Sequence, residues 1–253
     1  MTSRIVAVLN QKGGVGKTTT TVNLAHALAR MGKKITVIDF DPQSHLAVAL
    51  GVVSKQQTGI DEIMLGHATF TQQQIPVREN LNLIVAGPRL QEIEQLRESG
   101  SHRGDLLRKA LAAGTDGRDL IFIDCPPSSG ILVANALFAA EELLVPMTSD
   151  YLALQGLSHL MGTIKKFEAV LNKKYRLQIV MSRYIPTRRL SKDVVSTLKK
   201  YFPQQILATP VRETAALAEC PSFGKTVFEY RPGWRSAKDF EALAGDFLAG
   251  RVM

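Results

Sequence analysis

The sequence predicts an α/β fold: one mostly parallel, twisted β-sheet flanked by helices on both faces. Three observations predict it. Short apolar runs alternate with helix-like stretches along nearly the whole chain of 253 residues. The first run, Ile5-Val6-Ala7-Val8-Leu9, leads into a glycine-rich loop and then into a helical pattern from Thr20 to Met31. A later run, Leu120-Ile121-Phe122-Ile123, is apolar throughout and ends on Asp124. Strands covered on both faces read as unbroken apolar runs, and strands joined through helices pair in parallel.

Composition narrows the class. At 45% hydrophobic and 21% charged residues the chain is ordinary for a globular protein, and its length suits one large domain. No apolar run approaches the ~18 residues of a membrane-spanning helix. The chain enters a strand by Ile5, which leaves no room for a signal peptide. The two cysteines, Cys125 and Cys220, are isolated, which points to reduced thiols in a cytoplasmic protein. The five histidines show no ligand spacing. The net charge of +8 is unevenly placed. From Met161 onward there are 17 Lys and Arg against 8 Asp and Glu, whereas residues 1–160 hold 14 and 15. The excess positive charge therefore lies in the last third, a footprint suited to a polyanion such as DNA or an anionic membrane.

The loop after the first strand reads Asn10-Gln11-Lys12-Gly13-Gly14-Val15-Gly16-Lys17-Thr18-Thr19. Strand, glycine loop and helix are the context of a P-loop. The glycines let successive backbone N–H groups turn inward around phosphate oxygens, and the following helix directs its positive dipole end at the same anion. Candidate phosphate-binding residues are Gly13, Gly14, Val15, Gly16, Lys17, Thr18 and Thr19. Lys17 is placed to reach the β/γ-phosphates, and the Thr18 hydroxyl to ligate Mg²⁺. The general motif has a glycine where this chain has Asn10 or Gln11, and it lacks the second lysine, Lys12. The run Lys12-Gly13-Gly14-Val15-Gly16-Lys17-Thr18 resembles the deviant Walker A motif of the ParA/MinD (Soj-like) ATPases. That resemblance implies that Lys12 reaches across a dimer to the partner's nucleotide.

The next apolar run, Ile35-Thr36-Val37-Ile38, reads as a buried strand that ends in Asp39-Phe40-Asp41-Pro42-Gln43. Carboxylates at a strand's carboxyl end sit where α/β sheets place ligands. The spacing of Asp39 and Asp41 leaves them free to face different ways. The resemblance continues here, and implies that Asp41 orients the attacking water and that Asp39 supports the Mg²⁺ region. Residues 44–80 read as mixed, with a short helix at Gly59–Met64 and a strand or loop at Phe70-Thr71. Leu81–Val85 reads as a strand. Leu90–Ser99 and Gly104–Ala113 read as helices parted by the polar break Glu98–His102. Leu120–Asp124 reads as a Walker B strand whose Asp124 holds Mg²⁺, and in the resembling family the Asp124-Cys125-Pro126-Pro127 turn begins a switch that senses the γ-phosphate.

Beyond it, helix Leu132–Ala140, strand Glu142–Pro146, helix Ser158–Asn172 and strand Gln178–Met181 continue the alternation. The basic segment Arg188-Arg189-Leu190-Ser191-Lys192 opens a helix from Asp193 to Tyr201, and Gln205-Ile206-Leu207 reads as a further strand. By resemblance, Ser182, Pro210 and Arg212 lie near the adenine. Leu217–Lys225 also resembles a family segment. In the terminal helix, Ser236–Leu248, the helical spacing of Phe240, Leu243, Ala244, Phe247 and Leu248 reads as core packing.

The resemblance spans nearly the whole chain, and implies a single P-loop ATPase domain over residues 1–253 without an N-terminal DNA-binding extension. It implies ATP and Mg²⁺ as cofactors, an ATP-bridged homodimer, nonspecific DNA as a partner, and a ParB-like adaptor that stimulates weak hydrolysis. The cargo would be a plasmid, chromosome or protein complex, the location cytoplasmic and nucleoid-associated, and no membrane partner is expected. Two departures bear on the expected DNA surface. Ala216 stands where many chromosome-partition relatives carry arginine, and Thr187-Arg188-Arg189-Leu190 differs from their pattern. The DNA surface is therefore either shifted to Arg188, Arg189, Lys199, Lys200 and Arg235, or weaker. Three alternatives stay open: a MinD-type membrane-cycling ATPase, an iron–sulfur reductase of the nitrogenase iron-protein type using Cys125, and a metabolic P-loop kinase.

Overall fold

The computed structural model describes residues 3–52, 57–95, 104–115 and 117–253. In chain order the elements are β1 (Arg4–Val8), α1 (Lys17–Arg30), β2 (Ile35–Asp39), α2 (His45–Ala49), α3 (Ile60–Met64), β3 (Ile75–Arg78) and β4 (Leu81–Ile84). There follow α4 (Leu90–Gln95), α5 (Leu106–Ala112), β5 (Leu120–Asp124), α6 (Ile131–Ala139), β6 (Glu142–Thr148), α7 (Tyr151–Leu171) and β7 (Arg176–Ser182). The chain ends with α8 (Arg189–Tyr201), α9 (Ala215–Glu219), a 3₁₀ turn at Cys220–Phe223, α10 (Val227–Tyr230) and α11 (Arg235–Ala249).

The strands form one seven-stranded sheet in the order β3-β4-β2-β5-β1-β6-β7. Every pairing is parallel except β3 with β4. β3 is an edge strand, which is where Pro76 is tolerated, because a proline donates no ladder hydrogen bond.

Alternation along the strands divides the molecule into two layers. Ile121 and Ile123 of β5 face a core filled by α3 to α8, whereas Leu120 and Phe122 face one filled by α1, α2, α9, α10 and α11. The expected fold class, a mostly parallel sheet covered on both faces, is the one observed.

Element boundaries differ where a cap or a long-range contact decides them. Helix α1 begins at Lys17 and not at Thr20, because left-handed Gly16 (φ 86°) caps it. Helix α7 begins at Tyr151, seven residues before the expected Ser158, because the Asp150 carboxylate caps it by accepting the Ala153 N–H. Helix α8 begins at Arg189, so the basic pair lies at its first turn rather than before it. The strand expected at Gln205–Leu207 is reduced to isolated bridges, Ile206 to Ile179 and Leu207 to Val252. Helix α2 and strand β3 resolve the mixed region, and Phe70-Thr71 is a turn. The polar break at 98–102 and the end of the helix before it lie outside the described residues.

Candidate nucleotide-binding site

The loop after β1 is shaped before any ligand enters. The Asn10 side-chain amide donates to the Pro146 carbonyl at 2.9 Å, and its Oδ1 accepts the Lys12 N–H at 3.0 Å. Gly14 and Gly16 take φ values of +71° and +86°, which a side chain would strain. A Cβ on Gly13 or Gly14 would meet nothing within 4 Å, so the loop encloses open space. From β7 the Ser182 hydroxyl donates to the Val15 carbonyl at 2.6 Å. The Arg183 guanidinium, paired with Glu213, reaches the Gly14 carbonyl at 3.3 Å. Ser182 lines the cavity, but its hydroxyl is directed at the loop backbone.

That cavity measures about 760 Å³ and is lined by Gly13, Gly14, Gly16, Lys17, Thr18 and Thr19 on the loop side. Val15 is buried and points out of it. On the far side Val211, Arg212, Glu213 and Thr214 line it, whereas Pro210, expected near the adenine, does not. The Arg212 guanidinium is itself held by Asp239, with Nε to Oδ2 at 2.9 Å.

The charged centre is compact. The Thr18 hydroxyl donates to Asp124 Oδ2 at 2.7 Å, and the Thr21 hydroxyl to Asp124 Oδ1 at 3.0 Å. Burial pushes the Asp124 carboxyl up to about 6, against the pull of these hydroxyls and of Lys17. Burial likewise lowers the Lys17 ammonium, which Asp124 partly offsets. Two hard oxygen donors side by side, next to an open glycine cradle and a lysine, suit a polyphosphate carried with Mg²⁺, which takes one or two protein ligands and the rest from phosphate and water.

Asp39 pairs in register with Asp124. It is fully buried, and accepts the Ala47 N–H at 3.0 Å and the Asp41 N–H at 3.4 Å. Burial first, then the neighbouring Asp124, push it up to about 8. Asp39, like Asp124, does not line the cavity; it braces the loop that carries Asp41. Asp41 does line the cavity. Its charge bears on Lys17 and Asp124 as well as Asp39, while Asp39 is turned to the backbone N–H groups of Ala47 and Asp41, so the two carboxylates face different ways.

Lys12 lies outside the cavity lining. Its Nζ pairs with both oxygens of Asp150, at 2.9 and 2.8 Å. Burial would raise the Asp150 carboxyl, but the bonds from Lys12, Thr148 and Ala153 hold it below the usual range. Sequence reasoning missed Thr21, Asp150 and Asp239. Only Asp150 carries a local signal, since Ser149-Asp150 before a helical pattern reads as a cap.

The expected DNA residues are exposed but divided. Arg188 and Arg189 stand at the start of α8 and Lys199 and Lys200 in its last turn. Arg235 opens α11, in the opposite layer. Cys125 and Cys220 are both buried, on opposite sides of the sheet, which leaves the iron–sulfur reading without a thiol pair. Among the described residues no helix is long and apolar enough to cross a membrane.

Comparison with known proteins agrees with this geometry. The family described as the AAA domain matches residues 3–179. The sporulation initiation inhibitor protein Soj of Bacillus subtilis (strain 168) is 35% identical over 249 residues, covering 97% of this chain and 98% of that protein. The chromosome-partitioning ATPase Soj of Thermus thermophilus is 35% identical over 247 residues, covering 97% and 96%. A putative plasmid partition protein of Borrelia burgdorferi B31 bound to AMPPNP superposes with a TM-score of 0.83 at 23% identity, covering 98% and 99%. The cobyrinic acid a,c-diamide synthase of Mycobacterium smegmatis, with bound ADP and magnesium, superposes with a TM-score of 0.83 at 28% identity, covering 99% and 98%.

Proposed function

The chain belongs to the ParA/Soj family of P-loop partition ATPases, and from that membership we propose that it hydrolyses ATP with Mg²⁺, dimerises on ATP, binds DNA without sequence preference, and positions a cargo through a partner that stimulates hydrolysis. The observation that carries this reading is the convergence of Lys17, Thr18 and Asp41 on one cavity, with Asp124 bonded to Thr18 beneath it and Lys12 nearby.

When bound, Mg²⁺-ATP supplies the phosphoryl group and a cation that spreads its charge. The chain's own groups do the rest. The glycine loop presents N–H donors, and Lys17 places a buried positive charge beside the phosphates. Thr18 and Asp124 hold the cation. Asp41 orients the attacking water. Release of Lys12 from Asp150 frees it to act on a second subunit's nucleotide. The ends of α8, with Arg188, Arg189, Lys199 and Lys200, supply the DNA contact. A MinD-type membrane role is not favoured, because the terminal helix buries Phe240, Leu243 and Phe247 in the core.

The test is Asp41→Ala. The variant is expected to keep ATP-dependent dimerisation and to lose turnover by ~100-fold or more, as removal of a water-positioning group does. Steady-state phosphate release beside light scattering reads both; turnover at the wild-type rate would remove Asp41 from the mechanism.

A further inference from the structure

A stacked set of side chains, exposed at both ends and half-buried at Tyr230, lies on the segment from the 3₁₀ turn to the start of α11. Phe223 stacks on Tyr230 with ring centres 5.0 Å apart and planes 24° apart. The Arg231 guanidinium sits over both Tyr230 (5.4 Å) and Trp234 (5.2 Å). The two ends of this ladder are open: Phe223 is 59% and Trp234 54% exposed. Large aromatic and arginine side chains held in place at a surface are the groups that dominate protein interfaces, whereas isolated monomers rarely leave them uncovered together.

The local charge says what would cover them. The carboxylates of this segment are already engaged. Glu229 pairs with Arg78, Asp239 with Arg212 and Glu241 with Arg30, while Glu219 accepts the Tyr230 hydroxyl. Arg231, Arg235 and Lys238 are exposed and have no carboxylate partner among the described residues, whereas the nearby Lys225 lines the nucleotide cavity. We infer that the ladder Phe223–Tyr230–Arg231–Trp234, with these cations around it, docks an acidic protein segment that carries an aromatic or other flat apolar side chain. Duplex DNA would answer the cations but offers phosphates to the open ring faces. The turn that carries Phe223 also lines the nucleotide cavity through Cys220 and Pro221, so the docked segment would sit at the cavity's margin. The inference assigns Arg235 to this surface rather than to DNA.

Trp234 is the only tryptophan of the chain, so its emission reports on this surface alone. The probe is a random glutamate–tyrosine copolymer, with polyglutamate and oligothymidylate as comparisons. The expected result is a saturable change in Trp234 emission with the copolymer. Half-saturation should rise about tenfold or more in Phe223→Ala and in Arg231→Glu, while circular dichroism shows both variants folded. Four outcomes would overturn the assignment: no response, an equal response to polyglutamate, a stronger response to oligothymidylate, or a change on dilution of the protein alone, which marks a contact between copies.

Discussion

At the scale of single residues, the most informative contact is the ion pair of Lys12 with Asp150, 138 positions apart in sequence. Both side chains are about a third exposed, so the pair contributes only ~0.2–1 kcal/mol. That is enough to hold Lys12 in place and small enough to yield to a polyphosphate. Asp150→Asn keeps an acceptor for the Ala153 N–H and removes the charge. If Lys12 must leave Asp150 in both subunits before they join, the midpoint for ATP-dependent dimerisation should fall to a lower protein concentration by up to about thirtyfold. Light scattering against concentration checks this, and an unmoved midpoint would mean that the pair is structural. Lys12 itself was legible in the sequence as a lysine more than a P-loop needs. Its partner was not, because no local pattern links a loop after β1 to the cap of α7.

At the scale of elements, α1 joins the nucleotide loop to the C-terminal segment. Asn23 Oδ1 accepts the Val227 N–H at 2.8 Å, and His26 Nδ1 bonds the Thr226 hydroxyl at 2.7 Å. Thr226 and Glu229 form a capping box on α10. Burial lowers the His26 imidazole to about 4. The folded chain therefore declines a proton that the unfolded chain accepts near 6.5. Stability from this residue is fully present above about 6.5 and is lost as pH falls toward 4, by at most ~1.4 kcal/mol per pH unit. Urea midpoints at pH 7.5 and pH 5 should show that loss in the wild type and a smaller one in His26→Asn; equal losses would exclude His26 as the cause. The sequence foretold α1 because loop, helix and apolar spacing are contiguous. It placed the start of α7 late, since Gln155, Gly156 and Ser158 blur the pattern and the cap acts through a side chain. It read Gln205–Leu207 as a strand because the apolar run is there, but there the chain bonds β7 through Ile179 alone, whose N–H reaches the Gln205 carbonyl and whose carbonyl accepts the Leu207 N–H.

At the scale of the whole molecule, charge and layering set what the surface can do. The excess positive charge of the last third is carried partly by α8 and partly by the α10–α11 region, in opposite layers. A double variant, Arg188→Glu with Arg189→Glu, is expected to abolish nonspecific DNA binding at moderate salt and leave ATP affinity unchanged. The slope of log affinity against log salt should flatten by ~0.9 for each phosphate contact removed. DNA binding that survives at low salt would move the DNA surface elsewhere. The sequence by itself determined the fold class and the phosphate-binding centre, because strand, loop and helix follow from spacing along a short stretch of backbone, and Asp39, Asp41 and Asp124 follow from where apolar strands end. Only the tertiary structure decided which of those carboxylates faces the cavity, that Asp150 holds Lys12, that Asp239 holds Arg212, and that Arg235 stands apart from α8. Those relations depend on sheet register and on packing between segments more than a hundred residues apart in several cases, and spacing along the chain carries no record of them.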